Sequence, residues 1–300
     1  MAAACPGSSM PDADSGQKWD RELVPKRGLL SVSVSEIWRY RDLVRQLASR
    51  DLSAQYKQTV LGPAWFVIQP LMATVVFSFL FGRVAKLGTE GVPHFLFYMG
   101  GLVPWAFFAD LVNKTSLTFT KNAQLFGKVY FPRLVAPLAQ VLTSSALFAV
   151  QFAVFLAGFG FYLWKSKSDP SIHLDPSWRI ALLPLLLLQM TMLGAGIGLI
   201  VSSLSTRYRD LSMSVSFGLQ LWMYASSVVF PLSKIQEPRY RELMALNPMV
   251  PVIEGFRFAF LGTGTVTQAQ LATSFGISAI VLLLGLMMFN RTEQTVMDTV

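Results

Sequence analysis

Six membrane-length apolar stretches divide this chain of 300 residues, at 64–82, 94–113, 134–164, 180–204, 211–232 and 271–289. About 20 helical residues, at about 1.5 Å rise each, cross a hydrocarbon layer about 30 Å thick. The pattern therefore predicts an all-α integral membrane protein with six transmembrane helices. Pro70 sits inside the first stretch and predicts a kink. The second contains Gly100-Gly101 and Pro104, and the third is longer than a span needs, with Pro137 marking where it leaves the interface. The fourth carries Pro184 and a run of small residues, Gly194-Ala195-Gly196 and Gly198.

Ahead of the first span, residues 32–60 follow a different rule. Ile37, Tyr40, Leu43, Val44 and Leu47 recur at helical spacing, and Arg39, Asp42, Arg45, Gln46, Ser49 and Arg50 fill the opposite side. Ser33 is the predicted N-cap, with Glu36 reaching back to it and Val32 stapled onto Ile37. Such a helix lies in a membrane interface, its cations facing anionic headgroups. A solvated surface helix of a soluble domain has the same pattern, and the spans that follow favour the interfacial reading. Residues 1–31 lack a signal-peptide core and read as a disordered tail with a basic approach to this helix.

Two connections are more than loops. Residues 114–133 mix basic and aromatic residues, and predict a short helix near 122–128 before Phe131-Pro132-Arg133 leads into the third span. It can dock on a partner or rest its lysines on headgroups. Residues 233–270 predict two short helices that dip into the membrane before the sixth span. The second of these, at 251–262, is too short to cross. It places Ile253, Phe256 and Phe260 on one face, sets Glu254 and Arg257 as an i, i+3 pair, and ends at Gly262.

Composition fits this picture. The chain is 53% hydrophobic and 14% charged, whereas soluble domains are about 25% charged. The net charge of +8 is explained by basic loops retained on one side of a membrane. With the N-terminus inside, 16 of the 25 lysines and arginines fall on inner segments, predicting both termini in the cytoplasm. No basic cluster interleaved with aromatics lies away from the membrane flanks, so nucleic acid is not an expected partner. The single Cys5 forms no internal disulfide.

Catalytic chemistry is sparse. There is no phosphate-binding GxxxxGK[ST] loop, no HExxH, no CxxC and no GxSxG. His94 and His173 are far apart in sequence, so no metal site and no cofactor are expected in this chain. Asp110, near the end of a span, is either a functional carboxylate or a partner of Lys114 at i+4. Aromatic residues are dense. Some belong to an interfacial belt, whereas Trp65, Trp105, Phe107, Phe108, Trp222 and Tyr224 are candidates for an aromatic-lined conduit, because ring faces stack on the apolar faces of sugars.

A run of short motifs joins these observations. They are Tyr40-Arg41-Asp42-Leu43, Leu61-Gly62-Pro63-Ala64-Trp65, Gly100-Gly101-Leu102-Val103-Pro104-Trp105 and Lys128-Val129-Tyr130-Phe131-Pro132. Further on come Arg207-Tyr208-Arg209-Asp210-Leu211, Gln220-Leu221-Trp222-Met223 and Leu246-Asn247-Pro248-Met249. In order and spacing, over about residues 33–298, the chain resembles the permease subunit of ABC-2 polysaccharide exporters, which carry O-antigen, capsule or teichoic acid. The resemblance implies a non-enzymatic permease in the cell inner membrane, a homodimer paired with two separate cytoplasmic ATPase subunits that bind ATP and Mg. It implies a lipid-linked glycan substrate, commonly on undecaprenyl pyrophosphate.

By the same resemblance, Arg39, Arg41, Arg45, Arg50, Lys57, Leu61 and Gly62 flank a lipid entrance. Lys121, Asn122, Gln124, Leu125, Phe126, Lys128 and Arg133 belong to a helix that couples to the ATPase. Asn247, Pro248, Glu254 and Arg257 belong to a pair of outer gate helices. The chain departs from the expected Ser-Pro-Val at the end of the fifth span, where it has Ser226-Ser227-Val228. The rival readings are an ABC-2 permease for drugs or small lipids and, in another class, a membrane-embedded glycan-modifying enzyme.

Overall fold

The architecture was taken from a computed structural model that describes residues 34–57, 59–126, 131–169, 178–208, 210–235 and 237–297. Among these residues there are helices and connections but no strand. The expectations for the 1–31 tail, for the Ser33 cap and for Lys128 lie outside them.

In chain order the helices are α1 (Val34–Arg39), α2 (Arg41–Tyr56), α3 (Trp65–Phe77), α4 (His94–Ser116), α5 (Thr118–Phe126) and α6 (Val135–Ser166). They continue as α7 (Leu183–Ser205), α8 (Asp210–Tyr224), α9 (Pro238–Ala245), α10 (Met249–Leu261) and α11 (Gln268–Met297). Among the described residues, five helical stretches are long and apolar enough to cross a membrane: Gly62–Val84, His94–Ser116, Val135–Ser166, Trp178–Ser205 and Gln268–Thr292.

The fifth predicted span departs from expectation. Its helix, α8, stops at Tyr224, and residues 225–230 form turns and bends. Fifteen residues reach only about 22 Å, short of a full crossing. The predicted interfacial helix departs too. It is broken at Tyr40 (φ −92°, ψ 14°) into α1 and α2. Pro184 sits in the first turn of α7, where its missing N–H costs nothing. The connection from α2 to α3 turns at Gly62, whose φ is +52°. A Cβ there would meet nothing within 4 Å, so this glycine serves the backbone turn rather than a close contact.

Burial sorts the spans. Over an apolar window of 18 residues in each, α4 is 78% buried, against 11% for the first span and 17% for α11. The central helix α4 is therefore wrapped by protein, while Met72, Val75, Val76, Phe79 and Leu80 of the first span and Ile280, Leu283 and Leu284 of α11 face outward. Such exposed apolar side chains fit a hydrocarbon solvent.

The small-residue run of α7 works on two faces. A Cβ on Gly194 would press on Leu111 and one on Gly198 on Thr115 at 2.5 Å, both in α4. On the other face a Cβ on Gly196 would lie 2.7 Å from the backbone nitrogen of Leu282, and one on Gly285 2.5 Å from the Gly196 carbonyl oxygen. Helices α7 and α11 thus touch backbone to backbone, which only glycine permits.

Candidate functional site

Two ends of the bundle carry the chemistry. They are called here the α10 end and the α5 end, after the short helices that mark them.

At the α10 end, Asn247 lies two residues ahead of α10. Its side-chain oxygen accepts from the Met249 N–H at 3.1 Å, satisfying a donor that the first turn leaves free. Its amide donates to the Ala225 carbonyl at 3.1 Å and to the Ser226 hydroxyl at 3.0 Å, just past the end of α8. Pro248 contributes its carbonyl to the Ser274 hydroxyl of α11 at 2.6 Å. From this start α10 runs through the protein interior, its far end closed by Gly262 in the left-handed region (φ +70°).

One turn apart on α10 lie Glu254 and Arg257, both almost wholly buried. The Arg257 Nη1 donates to the Ser227 carbonyl at 2.6 Å and Nη2 to the Val228 carbonyl at 2.9 Å. Nε reaches the Phe97 carbonyl at 3.4 Å, and the guanidinium lies 3.7 Å from the centre of the Phe97 ring. Glu254 completes the set at 3.4 Å. A buried cation costs several kcal/mol unless paired and hydrogen-bonded. Here the planar fork meets the carbonyls of Ser227 and Val228, in the turn that follows α8. Helix α8 ends at Tyr224, and Arg257 satisfies the Ser227 and Val228 carbonyls in the turn beyond it.

The Gly100-Gly101 pair makes room for this. A Cβ on Gly101 would sit 2.6 Å from the Arg257 Nη2 and 3.2 Å from the Val228 carbonyl. Glu254 also accepts from the Thr265 N–H at 3.4 Å, so the carboxylate ties the segment after α10 back onto the helix. All four predicted gate residues, Asn247, Pro248, Glu254 and Arg257, gather around residues 225–228 and the start of α11.

Phenylalanines seat α10 from the other side. Phe148, Phe152, Phe155 and Phe159 of α6 form a stacked ladder. Phe256 and Phe260 of α10 pack edge-on or tilted against Phe152 and Phe155, with ring centres 5.2–6.1 Å apart. Each such pair contributes about 0.5–1.5 kcal/mol beyond area burial. The ladder was not singled out in the sequence, although its spacing marks one helix face.

The six predicted conduit aromatics do not form one lining. Trp105, Phe107 and Phe108 are core residues, 5%, 3% and 0% exposed. Trp222 of α8 packs its edge on Trp105 at 6.3 Å and on Phe108 at 5.3 Å. These rings join α8 to α4, because residues on the inward face of the most enclosed helix have no path to a lumen. Trp65 and Tyr224 remain exposed, at 42% and 48%.

At the α5 end, α2 does not lie free. Leu47 and Ala48 are buried against Phe131, Val135 and Ala139, at the start of α6. The Gln140 amide of α6 donates to Asp51 at 2.7 Å. The opposite face carries Arg39, Arg41, Arg45, Arg50 and Lys57, all exposed. Arg45 is loosely paired with Asp42 at 3.9 Å, Arg50 more closely with its neighbour Asp51 at 2.9 Å, and Arg41 lies over Trp38. Leu61 is exposed beside this face and Gly62 half-buried.

Helix α5 starts at Thr118, four residues earlier than expected. Of its predicted partner-facing residues, Lys121 is exposed. Asn122 turns inward and donates to the Thr118 carbonyl at 2.9 Å. Phe126 packs on Phe119 and Phe131, and buried Arg133 lies over the Phe126 ring. Asn122, Phe126 and Arg133 therefore hold the helix in place rather than reach beyond it. The side chains of Gln124 and Leu125 lie outside the described residues. Nearby, the Lys114 ammonium donates to Asp110 at 2.7 Å, and the Ser144 hydroxyl donates to the same oxygen at 2.6 Å. Asp110 is thus a paired group joining α4 to α6. Among the described residues, no group of three His, Cys, Asp or Glu is placed to hold a metal.

Comparison with known proteins fits this arrangement. Residues 42–261 match the family described as ABC-2 type transporter. An O-antigen export system permease protein RfbA of Myxococcus xanthus is 31% identical over 229 residues, 76% of this chain and 83% of that protein. An RfbA of Klebsiella pneumoniae is 28% identical over 253 residues, 84% and 92% of the two chains. The polysialic acid transport protein KpsM of Escherichia coli is 20% identical over 261 residues, 85% and 95%. With its family match covering most of the chain and its membrane-length helices, this protein is a multi-pass membrane protein that belongs to the ABC-2 type transporter family.

Proposed function

We propose that this chain is the permease subunit of an ABC exporter that moves a lipid-linked polysaccharide across the inner membrane. The observation that carries the reading is the match to export permeases along most of the chain, joined to a cationic helix docked beside an outward-facing apolar span. In this reading the α5 end and both termini are cytoplasmic. Two copies pair, and two separate ATPase subunits engage the α5 region through Lys121 and its neighbours. ATP and Mg are bound there and not by this chain.

The substrate is an undecaprenyl-pyrophosphate-linked glycan. Its lipid tail stays in the bilayer while its pyrophosphate engages Arg41, Arg45 and Arg50. Attraction at an exposed surface is screened by salt and water, so several cations are needed rather than one. Helix α8 and residues 225–230 together make the fifth of six crossings. The exposed face of α8 mixes Ser214, Ser216 and Gln220 with Phe217 and Tyr224. Polar groups at that depth are unsuited to lipid and fit a glycan path between two copies, with Trp65 and Tyr224 as its stacking rings. Glu254, Arg257, Asn247 and Pro248 form the outer gate.

The test is a strain of the native host lacking the gene, complemented with wild type or with the Arg41→Glu, Arg45→Glu, Arg50→Glu triple variant. Wild type restores surface polysaccharide, and the variant does not, at equal protein level in the membrane. Surface polysaccharide that persists without the gene overturns the whole reading. Full restoration by the triple variant overturns the headgroup role alone. A purified complex whose ATP hydrolysis responds to small amphiphiles but not to lipid-linked glycan would favour a drug or small-lipid permease instead.

A further inference from the structure

Helices α7 and α11 are fused over their middle by the backbone contact at Gly196, Leu282 and Gly285. Each end of the pair is jointed to a different short helix. At the α10 end a relay runs through three groups: the Gln189 amide of α7 donates to the Ser274 hydroxyl of α11, which donates to the Pro248 carbonyl ahead of α10. Gln189 and Ser274 are buried. Leu186 of α7 and Leu271 of α11 both press on Gly255 of α10. At the α5 end, the Phe119 N–H of α5 donates to the Ser202 hydroxyl of α7 at 3.4 Å. The Phe119 ring stacks on Phe289 of α11 at 4.5 Å, and Phe119, Leu199 and Phe289 are buried together. From Ser274 to Phe289 the helix rises about 22 Å.

We propose that α7 and α11 move as one rigid strut that carries displacement of α5 to α10, with Phe119 positioning its α5 joint and Ser274 its α10 joint. The reason is mechanical. Two helices in backbone contact cannot slide past each other without lifting apart, and packed interiors deform little. A shift imposed on α5 then reaches α10 through a continuous chain of packed and hydrogen-bonded groups, the physical requirement for coupling between distant sites. The strut joins α5 to the same helix whose Arg257 holds residues 227–228. Movement of α10 therefore bears directly on the turn that follows α8. The inference rests on the reading of α5 as the helix that meets the ATPase.

The test uses the full chain, affinity-purified with its ATPase from the native host, with surface polysaccharide and ATP hydrolysis measured for each variant. For Ser274→Ala, which lies far from any ATPase contact, hydrolysis stays within about twofold while polysaccharide exported per ATP falls about fivefold or more. Ser274→Thr keeps the hydroxyl and restores the ratio. Phe119→Ala lowers the same ratio. If Ser274→Ala accumulates poorly, Gln189→Ala severs the relay from its other side and gives the same loss. A wild-type ratio in Ser274→Ala and Phe119→Ala overturns the strut, as does a proportional fall in hydrolysis and export. These outcomes differ from failure of the underlying reading, in which the wild-type chain brings down no ATPase.

Discussion

Arginine is used in opposite ways at the two ends of this molecule. At the α10 end Arg257 is 1% exposed and holds the Ser227 and Val228 carbonyls, the Phe97 ring and Glu254. At the α5 end Arg39, Arg41, Arg45 and Arg50 stand on an exposed helix face, with side chains of Arg45 and Arg50 73% and 55% exposed. A buried cation is fixed by its surroundings, and removing it leaves two carbonyls without their donor and a carboxylate without its cation. An exposed one contributes little to folding and stays available to bind an anion. The first is suited to holding a shape, and the second to meeting something that arrives.

The comparison can be broken at several points. Arg257→Ala should cost about 3–5 kcal/mol, because a buried carboxylate loses its cation. It should appear as poor accumulation in the membrane and a lowered melting temperature in detergent. Arg257→Lys should recover only part of this, since an ammonium lacks the planar fork. A melting temperature equal to wild type for Arg257→Ala would remove the structural role.

Glu254→Gln should cost about 1–3 kcal/mol, as an acceptor remains but the charge does not. Gly101→Ala should cost a similar or smaller amount, about 1–3 kcal/mol, because its methyl group meets a guanidinium braced on three sides. Gln140→Ala should cost about 1 kcal/mol and loosen α2 from α6, read as faster proteolysis or hydrogen exchange within residues 41–56. Arg45→Ala should stay within about 0.5 kcal/mol of wild type in a thermal melt. A loss as large as that of Arg257→Ala would mean that the α2 face is not free.

The long helices were legible because crossing a bilayer demands a run of apolar residues whose length is set by the solvent. The end points of the spans that include α4, α6 and α7 fell within a few residues of expectation for that reason. The break at Tyr40 was not legible. Amphipathic spacing runs through it without interruption, and no glycine or proline marks it. The early end of α8 was hidden for a related reason: residues 225–230 continue its apolar run, and no glycine or proline falls among them.

Glu254 and Arg257 announced themselves as an i, i+3 pair, yet their spacing says nothing of depth or of the carbonyls they reach. Trp105, Phe107 and Phe108 mark the clearest limit. Aromatic residues in a span face lipid, lumen or protein with the same sequence pattern. Only the enclosure of α4 by its neighbours decides among them. Asn122 and Arg133 show the same limit for charged and polar residues, since a short basic loop gives no sign of which side chains fold back under it.

Gly101 and Arg257 also constrain how such a chain can change over time. The space a methyl group would take at 101 is already filled by the guanidinium. The two positions therefore behave as one inherited character. A lineage that acquires a side chain at 101 first meets a clash. One that first shortens residue 257 passes through a chain with uncapped carbonyls and an unpaired Glu254. Both single steps are unfavourable, so relatives built on this arrangement are expected to keep both residues or to have replaced both, with the carboxylate at 254 changing alongside.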